Sequence, residues 1–281
     1  MKLIVTLALL LAAGSVMGQP KPVGSWRWPR YKVEQERFAV ALPAPPSMGM
    51  ARKFSDRLKK ERLEQTLQAK ADGVFYRVFI FSDSKSYTFE DFVAEYDVNF
   101  KWDASTERQL TVNGAKGREF QSQDKNATTQ VFVKDDRFYG FIVTGAGAAD
   151  EKVKLFFNSI EFGKNPDGVE ISEVPGATLY AEPVTDVYKT SELDKRLILR
   201  SKPEPEYSAK GRSKGVNGIV ILRAVFTGDG RVVNIRVVKA LPYRMTDAAI
   251  EAARKIKFEP AMKDGKTVSM WLQLEYNFNI Y

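Results

Sequence analysis

Apolar and polar positions alternate most regularly at the end of the chain. Val268, Met270, Leu272, Leu274, Tyr276, Phe278 and Ile280 share one parity; Ser269, Trp271, Gln273, Glu275, Asn277 and Asn279 share the other. A period of two held this long predicts a strand with one buried face and one wet face. A long terminal strand is expected at a sheet edge, where unpaired N–H and C=O groups accept an added strand. The pattern therefore points to peptide binding, with Trp271, Gln273, Glu275 and Asn277 on the face that would set specificity.

The preceding residues complete a ββαβ unit. Strands are predicted over 218–226 and 231–238, joined by the tight turn Thr227-Gly228-Asp229-Gly230. A helix follows, with Thr246 as its N-cap, Met245 and Ile250 as a hydrophobic staple, Ala248, Ala249, Ala252 and Ala253 within it, and an end near Ile256. Phe258-Glu259-Pro260-Ala261 forces an extended turn and Asp264-Gly265 opens the last strand. The run Pro203-Glu204-Pro205-Glu206-Tyr207 disfavours helix and predicts an extended arm entering the unit.

The first half reads as an antiparallel sheet with packed helices. Phe38, Val40 and Leu42 alternate up to Pro43, and extended runs around 63–69 and 74–81 meet at Asp72-Gly73, suited to a hairpin turn. Thr88 looks like an N-cap with Asp91 at the third helical position, and Phe89, Phe92, Val93, Tyr96 and Phe100 recur at helical spacing. That aromatic stripe reads as core rather than as a ligand pocket. Strands are predicted over 108–112, 115–121, 128–134 and 137–144, with turns at Asn113-Gly114 and Asp135-Asp136, then a helix from about Asp150 bearing Val153, Phe156, Phe157 and Ile160.

Between these halves, residues 164–194 carry Pro, Gly, Asp and Glu without a sustained period and read as an interdomain linker; Leu197-Ile198-Leu199 is a short apolar run suited to a strand or docking segment. Lys2, the apolar run Leu3–Ala13 and small residues up to Gly18 match a secretory signal peptide. Counted from Leu3 to Met17 the run is about 15 residues, short of the roughly 20 that a spanning helix needs, and Gly14 and Ser15 interrupt its end. Cleavage after Gly18 is expected, which places the protein in the periplasm; an uncleaved N-terminus would instead anchor it in the inner membrane. The expected organisation is thus signal peptide 1–18, tether 19–35, N-terminal α/β domain 36–163, linker 164–194 and C-terminal domain 195–281.

Composition narrows the chemistry. The chain of 281 residues has no cysteine and no histidine, which removes disulfides, thiolate metal sites, the commonest general base and the usual zinc ligand. Its formal net charge is +8. The densest basic run, Arg57-Leu58-Lys59-Lys60-Glu61-Arg62, is interrupted by Glu61 and flanked by Asp56 and Glu64, so it reads as solvated surface, and no nucleic-acid partner is expected. Glu90, Asp91 and Glu95 are spaced as a wet helix face. No catalytic residue, metal site or cofactor is expected, and the chain is not read as an enzyme.

Two resemblances follow from these motifs. Pro203-x-Pro205-x-Tyr207, Gly218-x-Val220, Asp229-Gly230-x-Val232, Ala248-Ala249-x-x-Ala252, Lys257-Phe258-x-Pro260-Ala261, Asp264-Gly265-Lys266 and Tyr276-Asn277-Phe278 stand in the order of the TonB C-terminal domain family, which residues 195–281 resemble. Phe38-x-Val40-x-Leu42-Pro43-x-Pro45, Gly117-Arg118-Glu119 and Phe156-Phe157-x-Ser159-Ile160 resemble small modules of the PsbP-like type over residues 36–163. The fold class implied is α+β: an N-terminal antiparallel sheet with packed helices (PsbP-like), a linker, and a C-terminal ββαβ TonB-like domain.

The TonB resemblance implies a periplasmic module that captures an extended segment of an outer-membrane TonB-dependent transporter or another envelope protein by strand addition, in energy-coupled transport. It also implies motor partners of the ExbB and ExbD kind if the N-terminus is an anchor, and adds Tyr207 to the candidate partner-binding residues. The family's long membrane helix and Pro-rich spacer of Pro-Glu and Pro-Lys repeats are not seen in this sequence. The alternative is a soluble periplasmic structural or adaptor protein without energy transduction, which would use the same strand to pair with another envelope protein or with itself as a homodimer.

Overall fold

The structure is a computed structural model describing residues 28–33, 36–55, 57, 59–82 and 87–280. The expected signal peptide and most of the expected tether lie outside the described residues. The fold is α+β and rich in strands. The chain runs β1 (Arg30–Val33), β2 (Phe38–Ala41), β3 (Ser47–Ser55), β4 (Lys60–Ala71), β5 (Val74–Ser82), α1 (Phe89–Phe100), β6 (Trp102–Val112), β7 (Ala115–Ser122), β8 (Ala127–Lys134), β9 (Arg137–Thr144) and α2 (Glu151–Asn158). It continues through β10 (Glu161–Phe162), β11 (Val169–Glu170), β12 (Thr178–Leu179), β13 (Val187–Tyr188), β14 (Ile198–Ser201) and α3 (Ala209–Ser213). The last elements are β15 (Gly218–Phe226), β16 (Val232–Lys239), α4 (Met245–Arg254), β17 (Lys257–Glu259), β18 (Ala261–Lys263) and β19 (Lys266–Phe278).

Local sequence explains most of the N-terminal unit. Asp72 and Gly73 take φ of 50° and 79°, the left-handed pair that a two-residue hairpin turn between β4 and β5 demands. Asn113-Gly114 and Asp135-Asp136 do the same for β6–β7 and β8–β9. At the start of α1 the Thr88 N–H donates to the Asp91 carboxylate (2.9 Å) and the Asp91 N–H donates to Thr88 Oγ1 (3.1 Å), a reciprocal cap. Asp150 caps α2 by accepting from the Lys152 N–H at 2.7 Å.

Two clusters pack against opposite faces of the sheet. Under α1, Phe79, Phe81, Tyr87, Phe92, Trp102, Phe120 and Phe138 form an aromatic layer, with the Phe81 and Phe138 rings stacked at 5.1 Å. Close approach here requires a glycine: a Cβ on Gly140 would lie 1.8 Å from the Phe79 ring. Three carboxylates of α1 are absorbed into ion pairs. Glu95 bonds the buried Arg62 at 2.9 Å, Asp91 bonds Arg57 and Glu90 bonds Arg118. The other face packs α2, β1 and β2 in a larger core that continues without a break into the C-terminal unit through Ile171, Ala177 and Leu179.

Three expectations need correction. Residues 164–194 connect the two units but are not a free tether. β12 pairs antiparallel with β16 and parallel with β3, so one sheet runs β13-β19-β15-β16-β12-β3-β4-β5-β9-β8-β7-β6. Short segments of two residues carry no readable period, so burial of Ala177 and Leu179 (0% and 3% exposed) was hidden from pattern reading. Ordered structure also starts before Glu36, because β1 pairs with β2 and buries Tyr31 and Val33. Finally, Thr246 is not the N-cap of α4. Arg244 holds that position in the left-handed region (φ 64°), while Thr246 Oγ1 accepts the Leu241 N–H and donates to the Leu241 carbonyl, both at 2.8 Å. Its hydroxyl closes the preceding loop instead.

Candidate partner-binding edge

β19 pairs with β15 along nearly its whole length, from Gly218↔Phe278 to Phe226↔Met270. The alternation expected of it is realised from Met270 to Phe278, whereas Ile280, expected on the buried face, lies past the end of the strand and is exposed. Met270, Leu274, Tyr276 and Phe278 are buried, and Trp271, Gln273, Glu275 and Asn277 are exposed. Ser269 departs from its parity and is buried at 8%, since its hydroxyl accepts the Gly228 N–H and β13 lies alongside.

The far side of β19 is divided. Residues 266–268 are taken by the β18 hairpin, and Ser269 and Met270 pair in parallel with Val187 and Tyr188 of β13. From Trp271 to Phe278 no further strand pairs with it among the described residues. The terminal strand is therefore an edge only over its second half. In that open half the Glu275 carbonyl accepts from Lys202 Nζ at 2.6 Å, and the same ammonium lies 4.5 Å from the Tyr276 ring centroid.

The structure brings four of the five candidate residues together. Trp271, Gln273, Glu275 and Asn277 form one row on the outer face. The Arg223 guanidinium sits 5.0 Å from the Trp271 ring, a cation–π contact that the register provides by pairing Arg223 with Gln273 next door. Gln273 Nε2 donates to Glu275 Oε1 at 3.1 Å. Trp271 remains 37% exposed, so part of its indole faces solvent rather than being wedged wholly beneath a helix.

Tyr207 lies apart from this row. Its ring meets Phe278 edge-on at 5.3 Å, on the buried face, and its hydroxyl donates to the Val216 carbonyl at 3.0 Å. It fixes the extended arm Pro203–Tyr207 against the sheet. Arg223 and Lys202 were not legible as neighbours of the edge, because both meet it only through strand pairing and chain return. Buried beside the edge, Tyr276 has no hydrogen-bond partner for its hydroxyl among the described residues, and burial pushes its ionisation well above the ordinary tyrosine range. Among the described residues no group of three or more His, Cys, Asp or Glu is placed to hold a metal ion.

The C-terminal unit has counterparts among known proteins. The chain is 34% identical over 83 residues to Protein TonB of Pseudomonas aeruginosa, an alignment covering 29% of this chain and 24% of that protein, so the chain spans about a quarter of that relative's length. Among solved structures it matches the solution structure of the Pseudomonas aeruginosa TonB C-terminal domain, with 26% identity, a TM-score of 0.26, and coverage of 31% of this chain and 92% of that one. It also matches the TonB2 protein from Vibrio anguillarum, with 25% identity, a TM-score of 0.22, and coverage of 36% and 95%. Residues 203–280 match the family described as Gram-negative bacterial TonB protein C-terminal, in agreement with the resemblance carried by the motifs.

Proposed function

We propose that the protein is a TonB-like envelope protein that captures an extended segment of an outer-membrane transporter, or of another envelope protein, as an added strand on β19. The observation that carries this reading is the open backbone from Trp271 to Phe278 on a domain of matching family. Backbone N–H and C=O groups supply affinity in such a mode, and the flanking side chains select the partner. Trp271, with Arg223 at its ring, and the Gln273–Glu275 pair are the selecting groups in this reading. Tyr207 supports the site from the opposite face. The N-terminal unit serves as a PsbP-like scaffold, and an ExbB/ExbD-like motor enters only if the N-terminus anchors the chain.

A photo-crosslinking residue at Asn277, in cells of the native host, tests capture directly. Gln273→Pro removes a backbone donor and should abolish a crosslink to an outer-membrane protein, and Trp271→Ala should weaken it, with the fold intact by circular dichroism. Undiminished crosslinking by a folded Gln273→Pro chain sinks the strand-addition reading.

The runner-up is a periplasmic adaptor without energy coupling. It is favoured by the joining of both units into one sheet, which suits a rigid bridge. No helix among the described residues is long and apolar enough to cross a membrane. Intact mass and membrane partitioning separate the two readings: release of a chain shortened by residues 1–18 selects the adaptor, and a full-length, membrane-retained chain selects the transducer. Self-pairing of the edge into a homodimer would show as a concentration-dependent mass that Gln273→Pro removes.

A further inference from the structure

The connecting segment is held in two different ways. Around residues 171–179 it is rooted in the shared core by Ile171, Ala177 and Leu179. From Pro183 to Lys202, by contrast, not one residue is buried. This second stretch nevertheless wraps the end of the binding edge, mostly through polar contacts, with Leu197 resting on the core and β14 paired with β17 (Ile198↔Glu259, Leu199↔Phe258). Val187 and Tyr188 pair with Ser269 and Met270. The Lys189 N–H donates to the Glu192 carboxylate at 2.6 Å, and the Asp194 carboxylate accepts the Asp264 N–H at 2.6 Å. Asp194 and Lys195 N–H both donate to the Met262 carbonyl, and the Met262 N–H donates back to Lys195. The stretch ends with Lys202 on the Glu275 carbonyl. Segments held by exposed hydrogen bonds and few buried apolar contacts open far below the free energy of global unfolding.

We propose that residues 183–202 are an intramolecular strap that gates the β19 edge. β13 occupies the place beside Ser269 and Met270 that an incoming strand would need to lengthen its ladder. Lys202 occupies a carbonyl acceptor in the middle of the open half. With the strap on, a partner meets a shortened edge with one acceptor blocked; with the strap off, the edge runs unbroken from Ser269 to Phe278. Residues 171–179 in the core and β14 on β17 stay docked in both states, so the strap opens at β13 and at the Lys202 side chain without separating the two units. This inference rests on the reading of β19 as a strand-accepting edge, and the experiment below distinguishes failure of one from failure of the other.

The absence of cysteine allows a clean lock, because Val187→Cys with Ser269→Cys creates one thiol pair at facing positions. Release is achieved by Val187→Pro with Lys202→Ala, which removes the β13 ladder and the carbonyl cap. The probe is a fluorescein-labelled peptide of residues 186–193, which carries the strap's own edge-pairing sequence, read by anisotropy against the full chain. The released chain should bind it at least about tenfold more tightly than the oxidised lock, and Gln273→Pro in the released chain should abolish binding. Amide exchange in the unmodified chain should be at least about a hundredfold faster at Val187 and Tyr188 than at Thr178 and Leu179. Equal affinity of locked and released chains, with Gln273→Pro still abolishing binding, overturns the strap and leaves the edge standing. Binding that survives Gln273→Pro, or no binding by the released chain, overturns both. Exchange at Val187 and Tyr188 as slow as at Thr178 and Leu179 overturns the strap without reference to any ligand.

Discussion

Gly49→Ala is the substitution that tests whether the connecting segment truly joins the two units. Gly49 lies in β3, and a Cβ there would stand 2.3 Å from the Ala181 carbonyl oxygen. That oxygen belongs to backbone that cannot shift freely. The Ala181 N–H donates to the Met48 carbonyl at 2.9 Å, and the Glu182 N–H and carbonyl are both clamped by the Asn234 side-chain amide at 2.8 and 2.9 Å. Forcing the contact open should cost about 1–3 kcal/mol as overpacking, with a further 1 kcal/mol or so for a weakened backbone hydrogen bond. The loss of unfolded-state freedom on replacing glycine opposes this by about 0.4–1 kcal/mol. Destabilisation therefore wins, by roughly 1–3.5 kcal/mol. Urea denaturation gives the number, and limited proteolysis between residues 180 and 200 should quicken in parallel. Gly163→Ala is the control, since a Cβ there meets nothing within 4 Å. A Gly49→Ala chain as stable as Gly163→Ala would refute the docking argument.

Further outcomes follow from other sites. Tyr276→Phe removes a buried hydroxyl without a described partner, so stability should stay level or rise by up to about 1 kcal/mol, and a loss beyond about 1 kcal/mol in urea would show that the hydroxyl is satisfied. Arg62 is 6% exposed, bonded to Glu95 and placed 4.1 Å over the Phe81 ring; Arg62→Ala should cost about 3–5 kcal/mol by leaving buried carboxylate charge uncompensated, whereas Arg62→Ala with Glu95→Gln should recover part of that loss. The Thr88 N–H holds the Asp91 carboxyl below its ordinary value of 3.8, aided by Arg57. A depressed carboxyl stabilises the fold fully above the unfolded value and loses that contribution as pH falls through the folded one. Asp91→Asn should therefore flatten the acid limb of thermal stability below about pH 4, and an unchanged limb would remove the cap from the account. Gly140→Ala drives a methyl into the Phe79 ring and should destabilise by about 1–3 kcal/mol in the same urea assay.

Elements with long regular periods or diagnostic turns were legible from residues alone. β19 showed its two faces because thirteen residues repeat a period of two, and the hairpins at Asp72-Gly73 and Asn113-Gly114 showed because those pairs tolerate positive φ. The reciprocal cap at Thr88 and Asp91 was equally local. β3 was missed, since Met50, Phe54 and Leu63 are exposed on the β3–β4 hairpin and blur its alternation. α3 was missed because five residues make too short a period to see.

The candidate face of Trp271, Gln273, Glu275 and Asn277 was fixed by parity, a property of the strand itself. Whether that strand has a free edge is not such a property, because it depends on which distant segments return to pair with it. Only the tertiary structure placed β13 beside Ser269, Lys202 on the Glu275 carbonyl and Tyr207 on the opposite face. Only it joined two apparently separate units through the two-residue strand at Thr178 and Leu179. Sequence periodicity records which side of an element is apolar, whereas edges, docking and clamps arise from contacts between residues far apart in the chain, whose partners no local pattern names.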